Sequence, residues 1–348
     1  QIYGTIKMIE TLKKNIADII GIDKSIITET SALGKTDNWD SLKHMEIVSF
    51  IEEKYQIDLT PDDVLEMMSF SGILEVIKKN HNQKKESITL TENDFIEAFK
   101  NIGLNRGDHV FVQSSIATFG KIQNPLETIK NSFLSVISET GTLAVPTFTY
   151  RNKNFELEKS KSESGDFSEY IRLLPDALRS IHPFHSVAAI GKHSKIIADT
   201  VSKSSFSRDS VFGKMYDLDF KLCLLGTTLK DCSFFHYIEE HANVPYRFFK
   251  KITSTVTVKG STRDFSIDYF ARFREPFIKA DLHTAGEKLL SKIDGQKVFV
   301  GKGPVYLVSA RKLFDTTYPI LLSEDPTFLI NKKDKWKVQE ILNGNFKK

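Results

Sequence analysis

Cysteine is scarce in this sequence. Cys223 and Cys232 are the only two in 348 residues, so there is no disulfide framework and no zinc-ligand spacing. A reducing, cytoplasmic setting is the expected one. Long apolar runs are also lacking. None reaches the roughly 18 residues that mark a bilayer-spanning helix, and no membrane partner is expected. The opening Gln1-Ile2-Tyr3-Gly4-Thr5 has neither the charged start nor the apolar centre of a signal peptide. No basic run interleaved with aromatics occurs, which argues against nucleic acid. No internal repeat is visible. What remains is an ordinary soluble composition, 40% hydrophobic, on a chain long enough for two domains.

The net charge of +3 conceals an asymmetry. Residues 1–80 hold nine Lys/Arg and fourteen Asp/Glu, whereas the remainder holds 39 and 31. An acidic module tethered to a basic one is steered electrostatically. A basic second part also suits phosphate-bearing ligands such as coenzyme A or a nucleotide-sugar.

Within the acidic part, Asn38-Trp39-Asp40-Ser41-Leu42 leads into an amphipathic run in which Leu42, Met45, Val48 and Ile51 recur at helical spacing. Ser41 therefore sits in the first turn of a helix, where unpaired N–H groups favour a phosphodiester. Taken alone, such a serine reads as an N-cap. A first helix over residues 7–20, a polar loop over 21–40, a short turn from Pro61 and a last helix from Ile73 to about Lys79 surround it. This segment resembles an acyl carrier protein, with Asp40-Ser41-Leu42 at the attachment position and Trp39 where many carriers have glycine. The resemblance implies a four-helix carrier domain over residues 1–80 and a phosphopantetheine arm on Ser41. It also implies two partners, a phosphopantetheinyl transferase and a carrier-loading enzyme. Residues 81–88 are polar and without periodicity and read as a linker.

From residue 89 the pattern is α/β. Thr91 and Asp94 form a capping box ahead of Phe95, Ile96 and Phe99. Residues 109–115 and 141–147 read as buried strands flanking a helix over 126–137, and 222–226 as another strand followed by a helix over 233–241. Residues 151–180 read as irregular, then helical near 171–180. The runs 253–259 and 264–270 read as an antiparallel hairpin with a four-residue loop. A helix near 276–290 and short strands near 298–300 and 305–307 complete the domain. The fold expected for residues 89–348 is an α/β domain with a mixed central sheet and an antiparallel hairpin.

Three clusters fall where ligands bind in such sheets, beyond the strand ends. They are Gln113-Ser114-Ser115, His182-Pro183-Phe184-His185-Ser186 and Ser233-Phe234-Phe235-His236-Tyr237-Ile238-Glu239. Singly, each reads as a polar strand exit, a turn or a surface pair. Together with Gly141–Tyr150, Ser210–Tyr216 and Leu224-Leu225-Gly226, they resemble the aminoglycoside 3-N-acetyltransferases and relatives that acylate other amines. That family commonly has histidine where this chain has Gln113.

The resemblance implies metal-independent acyl transfer from a pantetheine thioester to a primary amine. It implies His236 as general base, with Asp268 or Glu239 as its carboxylate partner and a slight preference for Asp268. His182 is placed at the channel or acceptor rim. Ser114, Ser115 and Ser186 are placed at the acyl-donor site. The acceptor expected is a nucleotide-linked amino sugar, with the acyl group supplied from Ser41 or from acyl-coenzyme A. Two rival readings stand beside it: an acetyl-coenzyme A-dependent acetyltransferase of antibiotic resistance, and a degenerate transferase acting as a docking scaffold for the carrier. A homo-oligomer is compatible with all of them.

Overall fold

The computed structural model describes residues 2–55, 57–85, 89–150, 154–273 and 276–345. It divides into two units, Gln1–Ile88 and Thr89–Lys348.

The first unit is helical. Its helices are α1 (Ile2–Ile20), α2 (Ser41–Tyr55), α3 (Pro61–Glu66) and α4 (Phe70–Lys85). Leu12, Ile16, Ile47, Ile51, Phe70, Ile73 and Val76 form its core, closed by Trp39 from the loop before α2. The buried face of α2 keeps Val48 and Ile51 of the expected stripe but not Leu42 and Met45. His44, Ile47, Val48 and Ile51 are inside, whereas Leu42 and Met45 are 70% and 51% exposed. Both choices have helical spacing, so periodicity could not separate them. Helix α4 also runs through Lys85, across most of the expected linker. Asn80 to Lys85 contains neither Gly nor Pro, so nothing stops the helix there. Residues 86–88 lie outside the described residues.

The second unit is built from α5 (Glu92–Asn101), β1 (His109–Ser114), α6 (Pro125–Ile137), β2 (Thr142–Pro146), β3 (Asn154–Glu156), α7 (Asp166–Arg172), β4 (Leu178–Arg179), β5 (Val187–Gly191), α8 (Ser194–Asp199), α9 (Val211–Asp217), β6 (Lys221–Leu225) and α10 (Phe234–His241). There follow β7 (Arg247–Val258), β8 (Ser261–Arg272), α11 (Leu282–Leu290), β9 (Gln296–Val300), β10 (Gly303–Ser309), α12 (Ala310–Pro319) and α13 (Lys335–Leu342). Seven strands form one sheet in the order β4-β5-β2-β1-β6-β10-β9, and β3-β7-β8 form a second. β1 pairs in parallel with both β2 and β6, while β5 and β10 run antiparallel to their neighbours. The expected mixed sheet with a hairpin is thus the observed one.

Helices cover both faces of the large sheet. α5, α6 and α7 pack Phe95, Phe99, Phe133 and Phe167 on one side. α9 to α13 pack Phe212, Phe234, Tyr237 and Leu313 on the other. Each phenylalanine taken fully out of water contributes about 1.5–3 kcal/mol. Because β2 and β6 flank β1 after separate excursions of the chain, their C-terminal ends and that of β1 open a crevice at one edge. Gly226 follows β6 at φ +71°, and a Cβ there would lie 2.3 Å from the Ser115 carbonyl oxygen. Only glycine lets the two strand exits approach so closely.

Three local expectations are corrected. The hairpin loop has two residues, not four: Lys259 and Gly260 have φ +48° and +79°, the left-handed pair that a tight hairpin turn requires. The stretch 151–180 holds α7 over 166–172, and Leu178–Arg179 is a strand. The helix placed near 276–290 begins only at Leu282, capped by Asp281, which accepts the Thr284 N–H.

Candidate active site

The crevice at the end of β1 is a cavity of about 330 Å³, lined among others by Gln113, Ser114, Pro146, Thr227 and His236. A second cavity of about 770 Å³ opens toward the hairpin and is lined among others by Arg247, Lys250, Tyr269 and Arg272. Tyr150, His185, Phe206 and His236 line both. One aromatic and imidazole wall therefore faces two ligand-sized spaces.

His236 reaches this wall from the first turn of α10. Its neighbours Phe234, Phe235, Tyr237, Ile238 and Glu239 are all buried, so the sequence anchors the helix on several sides and leaves this imidazole toward the cavities. Its Nδ1 lies 2.6 Å from Glu239 Oε2. The Arg247 guanidinium, from the first residue of β7, sits 2.8 Å from the same oxygen and 3.1 Å from Nδ1. Arg247 can only donate, so the carboxylate accepts both protons and the imidazole carries its hydrogen on Nδ1. Nε2 is then a free lone pair. Burial, and next the Arg247 charge, hold His236 below its usual 6.5 against the opposing pull of Glu239. Burial alone would raise Glu239, but Arg247 and His236 outweigh it and hold its carboxyl at about 2. The result is a neutral imidazole backed by a charged carboxylate.

Glu239, not Asp268, is the residue that meets His236. Asp268 lies on the other side of the hairpin, in a cavity of about 610 Å³ with Asp209 and Asp264, and its N–H donates to the Lys203 carbonyl. Strand alternation places it away from Phe265 and Ile267, and that face looks onto the 201–209 loop and Glu240 of α10 rather than onto His236.

The other expected residues divide. Ser114 lines the smaller cavity, whereas Ser115 turns away, its Oγ accepting from Thr118 at 3.3 Å. Ser186 is fully buried. Its hydroxyl donates to the Thr147 carbonyl at 2.7 Å and accepts from Arg179 Nε at 3.1 Å. It is occupied within the fold and does not line either cavity. His182 is likewise internal. Its Nδ1 accepts the N–H groups of Phe184 and His185 at 3.1 and 3.0 Å, and its Nε2 lies 3.3 Å from Ser205 Oγ. Burial lowers it to about 4. It is not a rim residue.

Gln113 is not idle where the family commonly has histidine. Its Oε1 accepts from the Ser233 N–H at 3.0 Å and the Ser233 hydroxyl at 3.2 Å, and its Nε2 donates to the Asp231 carbonyl. It ties the end of β1 to the entry of α10, three residues before His236. Cys232 lines the same cavity, but burial pushes its thiol up to about 12, so it stays a neutral thiol.

Sequence reasoning missed Arg247, Ser205, Tyr150 and Phe206. Arg247 enters the site because β7 begins beside α10, a contact across eight and eleven residues that no helix or strand period encodes. Ser205 sits in the Ser202–Ser207 run, where composition alone singles out no hydroxyl.

In the first unit, Ser41 is the exposed first residue of α2. Asp40 does the capping, its Oδ1 accepting the Lys43 N–H at 2.9 Å. The Ser41 hydroxyl is thereby spared that task.

Residues 111–321 match the family described as aminoglycoside 3-N-acetyltransferase. The chain belongs to that family. Among relatives of this family, the aminoglycoside N(3)-acetyltransferase VII of Streptomyces paromomycinus is 24% identical over 252 residues, covering 62% of this chain and 85% of that protein. The SPbeta prophage-derived aminoglycoside N(3')-acetyltransferase-like protein YokD of Bacillus subtilis is 24% identical over 198 residues, covering 49% and 71%. The solved structure of YokD superposes with a TM-score of 0.62 at 20% identity over 70% of this chain and 97% of that one. The structure of AAC-IIIb with CoASH gives 0.59 at 20% identity over 67% and 97%. The family match thus covers the strands, α10 and the hairpin that build the wall, and none of it lies in the first unit.

Proposed function

We propose that this protein is an N-acyltransferase that moves an acyl group from a pantetheine thioester to a primary amine. The observation carrying this reading is the His236–Glu239 contact of 2.6 Å at a wall shared by two cavities. One cavity would take the thioester and the other the amine. His236 Nε2 removes a proton from the amine as its nitrogen bonds to the thioester carbonyl carbon. Glu239 stabilises the imidazolium so formed. Collapse of the tetrahedral adduct breaks the carbon–sulfur bond, and the imidazolium returns the proton to sulfur. Amide and free thiol leave, and His236 is again neutral.

The comparisons favour acetyl-coenzyme A as donor and an aminoglycoside-like polyamine as acceptor. The relatives bear that activity in their names, and one similar structure contains CoASH. A nucleotide-linked amino sugar finds no support among them. The carrier reading of the first unit rests on an exposed Ser41 at a helix start, relieved of capping by Asp40. In that reading Ser41 bears phosphopantetheine, installed by a phosphopantetheinyl transferase, and presents a second donor.

The deciding experiment offers two donors, acetyl-coenzyme A and the full chain acetylated on a phosphopantetheine arm. The acceptors are amines including sisomicin and apramycin, which are bound in two of the similar structures. Amine-dependent thiol release and a product heavier by one acetyl group are expected. No amine-dependent release from either donor overturns the reading.

A further inference from the structure

The mechanism above leaves one charge without a holder: the oxygen that becomes negative when the amine adds to the carbonyl carbon. We propose that His185 donates its Nε2–H to this oxygen, and that Ser205 and His182 fix the tautomer that makes it a donor. The proposal rests on the acyl-transfer reading and adds a residue to it.

The proton positions follow from the partners. His182 Nδ1 accepts two backbone N–H groups, at 3.1 and 3.0 Å, so it carries no hydrogen. A neutral His182 must then be protonated on Nε2, which faces Ser205 Oγ at 3.3 Å. Ser205 Oγ accepts there, so its single hydrogen is free to point at His185 Nδ1, 2.6 Å away. His185 Nδ1 is thereby an acceptor, and its own hydrogen is on Nε2. All three side chains are buried, at 5%, 6% and 7% exposure for His182, Ser205 and His185. Burial keeps both imidazoles neutral, lowering His182 to about 4 and His185 well below its usual value. Two backbone N–H groups thus decide, through one hydroxyl, which nitrogen of His185 is a donor.

The donor is in the right place. The His185 ring lines both cavities together with His236. Phe206 touches both rings, at centroid distances of 5.0 and 5.5 Å. Phe148 and Tyr150 pack edge-on against His185 at 4.9 and 5.4 Å. No described residue accepts from His185 Nε2, so a ligand atom is left to do so. His185 does not serve as a second base, since its Nδ1 is taken by Ser205 and its Nε2 is already protonated.

In the step itself the amine nitrogen bonds to the carbonyl carbon and the π pair moves onto oxygen, where the His185 N–H holds it. The amine proton goes to His236 Nε2. When the pair returns, the carbon–sulfur bond breaks and His236 gives its proton to sulfur. His185 keeps its proton throughout. A fixed N–H aimed at developing charge in a partly dry site needs no reorganisation during the reaction.

The test uses the full chain with acetyl-coenzyme A and sisomicin as probes, together with imidazole nitrogen NMR. His185→Leu is expected to lower kcat by about 10²–10³, the loss typical of one oxyanion donor, with the KM for acetyl-coenzyme A nearly unchanged. His185→Gln, which returns an N–H near the Nε2 position, recovers part of that loss. Ser205→Ala frees the tautomer and lowers kcat without moving KM. In the wild type, the His185 signals show hydrogen on Nε2, and in Ser205→Ala they shift toward a mixture. Hydrogen on Nδ1 in the wild type, or His185→Leu at full kcat, overturns the assignment while leaving acyl transfer intact. A wild type that transfers to no amine overturns both. Should His185→Leu not fold, Ser205→Ala and the wild-type tautomer decide.

Discussion

His236 Nδ1 and Glu239 Oε2 stand 2.6 Å apart, one helical turn from each other on α10. Residues at i and i+3 share a helix face, so the pair needs no tertiary structure to meet. What tertiary structure adds is Arg247, which keeps Glu239 ionised after burial. The hairpin therefore sets the charge of the dyad, and the helix sets its geometry.

His236→Ala is expected to lower single-turnover acyl transfer by about 10²–10⁴-fold, the range of a lost general base, with the thermal midpoint nearly unchanged. The pH profile carries a second signature. Burial and then Arg247 hold His236 below 6.5, and the base works in its neutral form. The acid limb of kcat/KM is therefore expected below pH 6.5 in the wild type and absent from the residual activity of the variant. An acid limb that persists unchanged would place the base elsewhere.

Glu239→Gln should fail in two ways. It leaves Arg247 buried without its counter-charge, and breaking such a pair costs about 3–5 kcal/mol. It also frees the imidazole to carry hydrogen on Nε2, which removes the lone pair from the cavity. Urea unfolding and single-turnover rates should both drop. The double variant Glu239→Gln/Arg247→Met is expected to regain stability but not rate. Recovery of both together would show that Glu239 holds the fold and nothing more.

Stability should also depend on pH through His182. Its folded value is about 4 against 6.5 when free. Between those values the unfolded chain binds more protons, so stability rises with pH across that window. The contribution is complete above pH 6.5 and is lost as pH falls to 4, amounting to roughly 3 kcal/mol at 1.36 kcal/mol per pH unit. Urea midpoints of wild type and His182→Gln, taken from pH 7 to 4, should converge on acidification. Parallel curves would refute the assignment.

Legibility in the sequence followed the range of each interaction. Capping box, strand and helix signals are local, and β1, β2, β6, α5, α6 and α10 fall within a residue or two of their expected places. His236 and Glu239 were visible because they are three residues apart. The preference for Asp268 comes from the resemblance, and strand alternation, which shows which residues share a face but not what that face meets, does not correct it. The Ser186 hydroxyl reads as a site residue until Arg179, on the neighbouring strand, is seen to hold it. Arg179 donates five hydrogen bonds, to residues 147, 157, 160 and 186. No local pattern encodes such a hub. On α2 two overlapping helical stripes share Val48 and Ile51 and satisfy the same period, and only packing chooses His44 and Ile47 over Leu42 and Met45.

Ser41 gives a separate prediction for the first unit. It is exposed, begins α2 and is not the cap. Incubation with a broad phosphopantetheinyl transferase and coenzyme A should add one phosphopantetheine mass to the full chain and none to Ser41→Ala. Asp40→Ala, which removes the cap, should destabilise the unit by about 0.5–2 kcal/mol and slow the modification. An unmodified wild type would sink the carrier reading while leaving acyl transfer from coenzyme A untouched.

Gln113 tests whether the entry of α10 must be held for His236 to work. Its amide makes contacts of opposite polarity, accepting from Ser233 and donating to Asp231. Gln113→Ala strands the buried Ser233 N–H, at a cost of about 1–3 kcal/mol for such a group, and leaves the exposed Asp231 carbonyl to water. Since Ser233 immediately precedes α10, the slack falls on the turn carrying His236. A rate loss of about tenfold is expected, equal to the 1.4 kcal/mol that a modest misplacement removes from the barrier's stabilisation. Gln113→Glu keeps the acceptor for Ser233 but sets a carboxylate against the Asp231 carbonyl, so it should rescue little. Gln113→His offers one acceptor nitrogen and one N–H, and should recover more of the rate than either. The readout is single-turnover transfer with saturating acetyl-coenzyme A, so that weakened donor binding does not enter. If Gln113→Ala transfers at the wild-type rate, Gln113 positions nothing, and α10 is held by its own buried side chains.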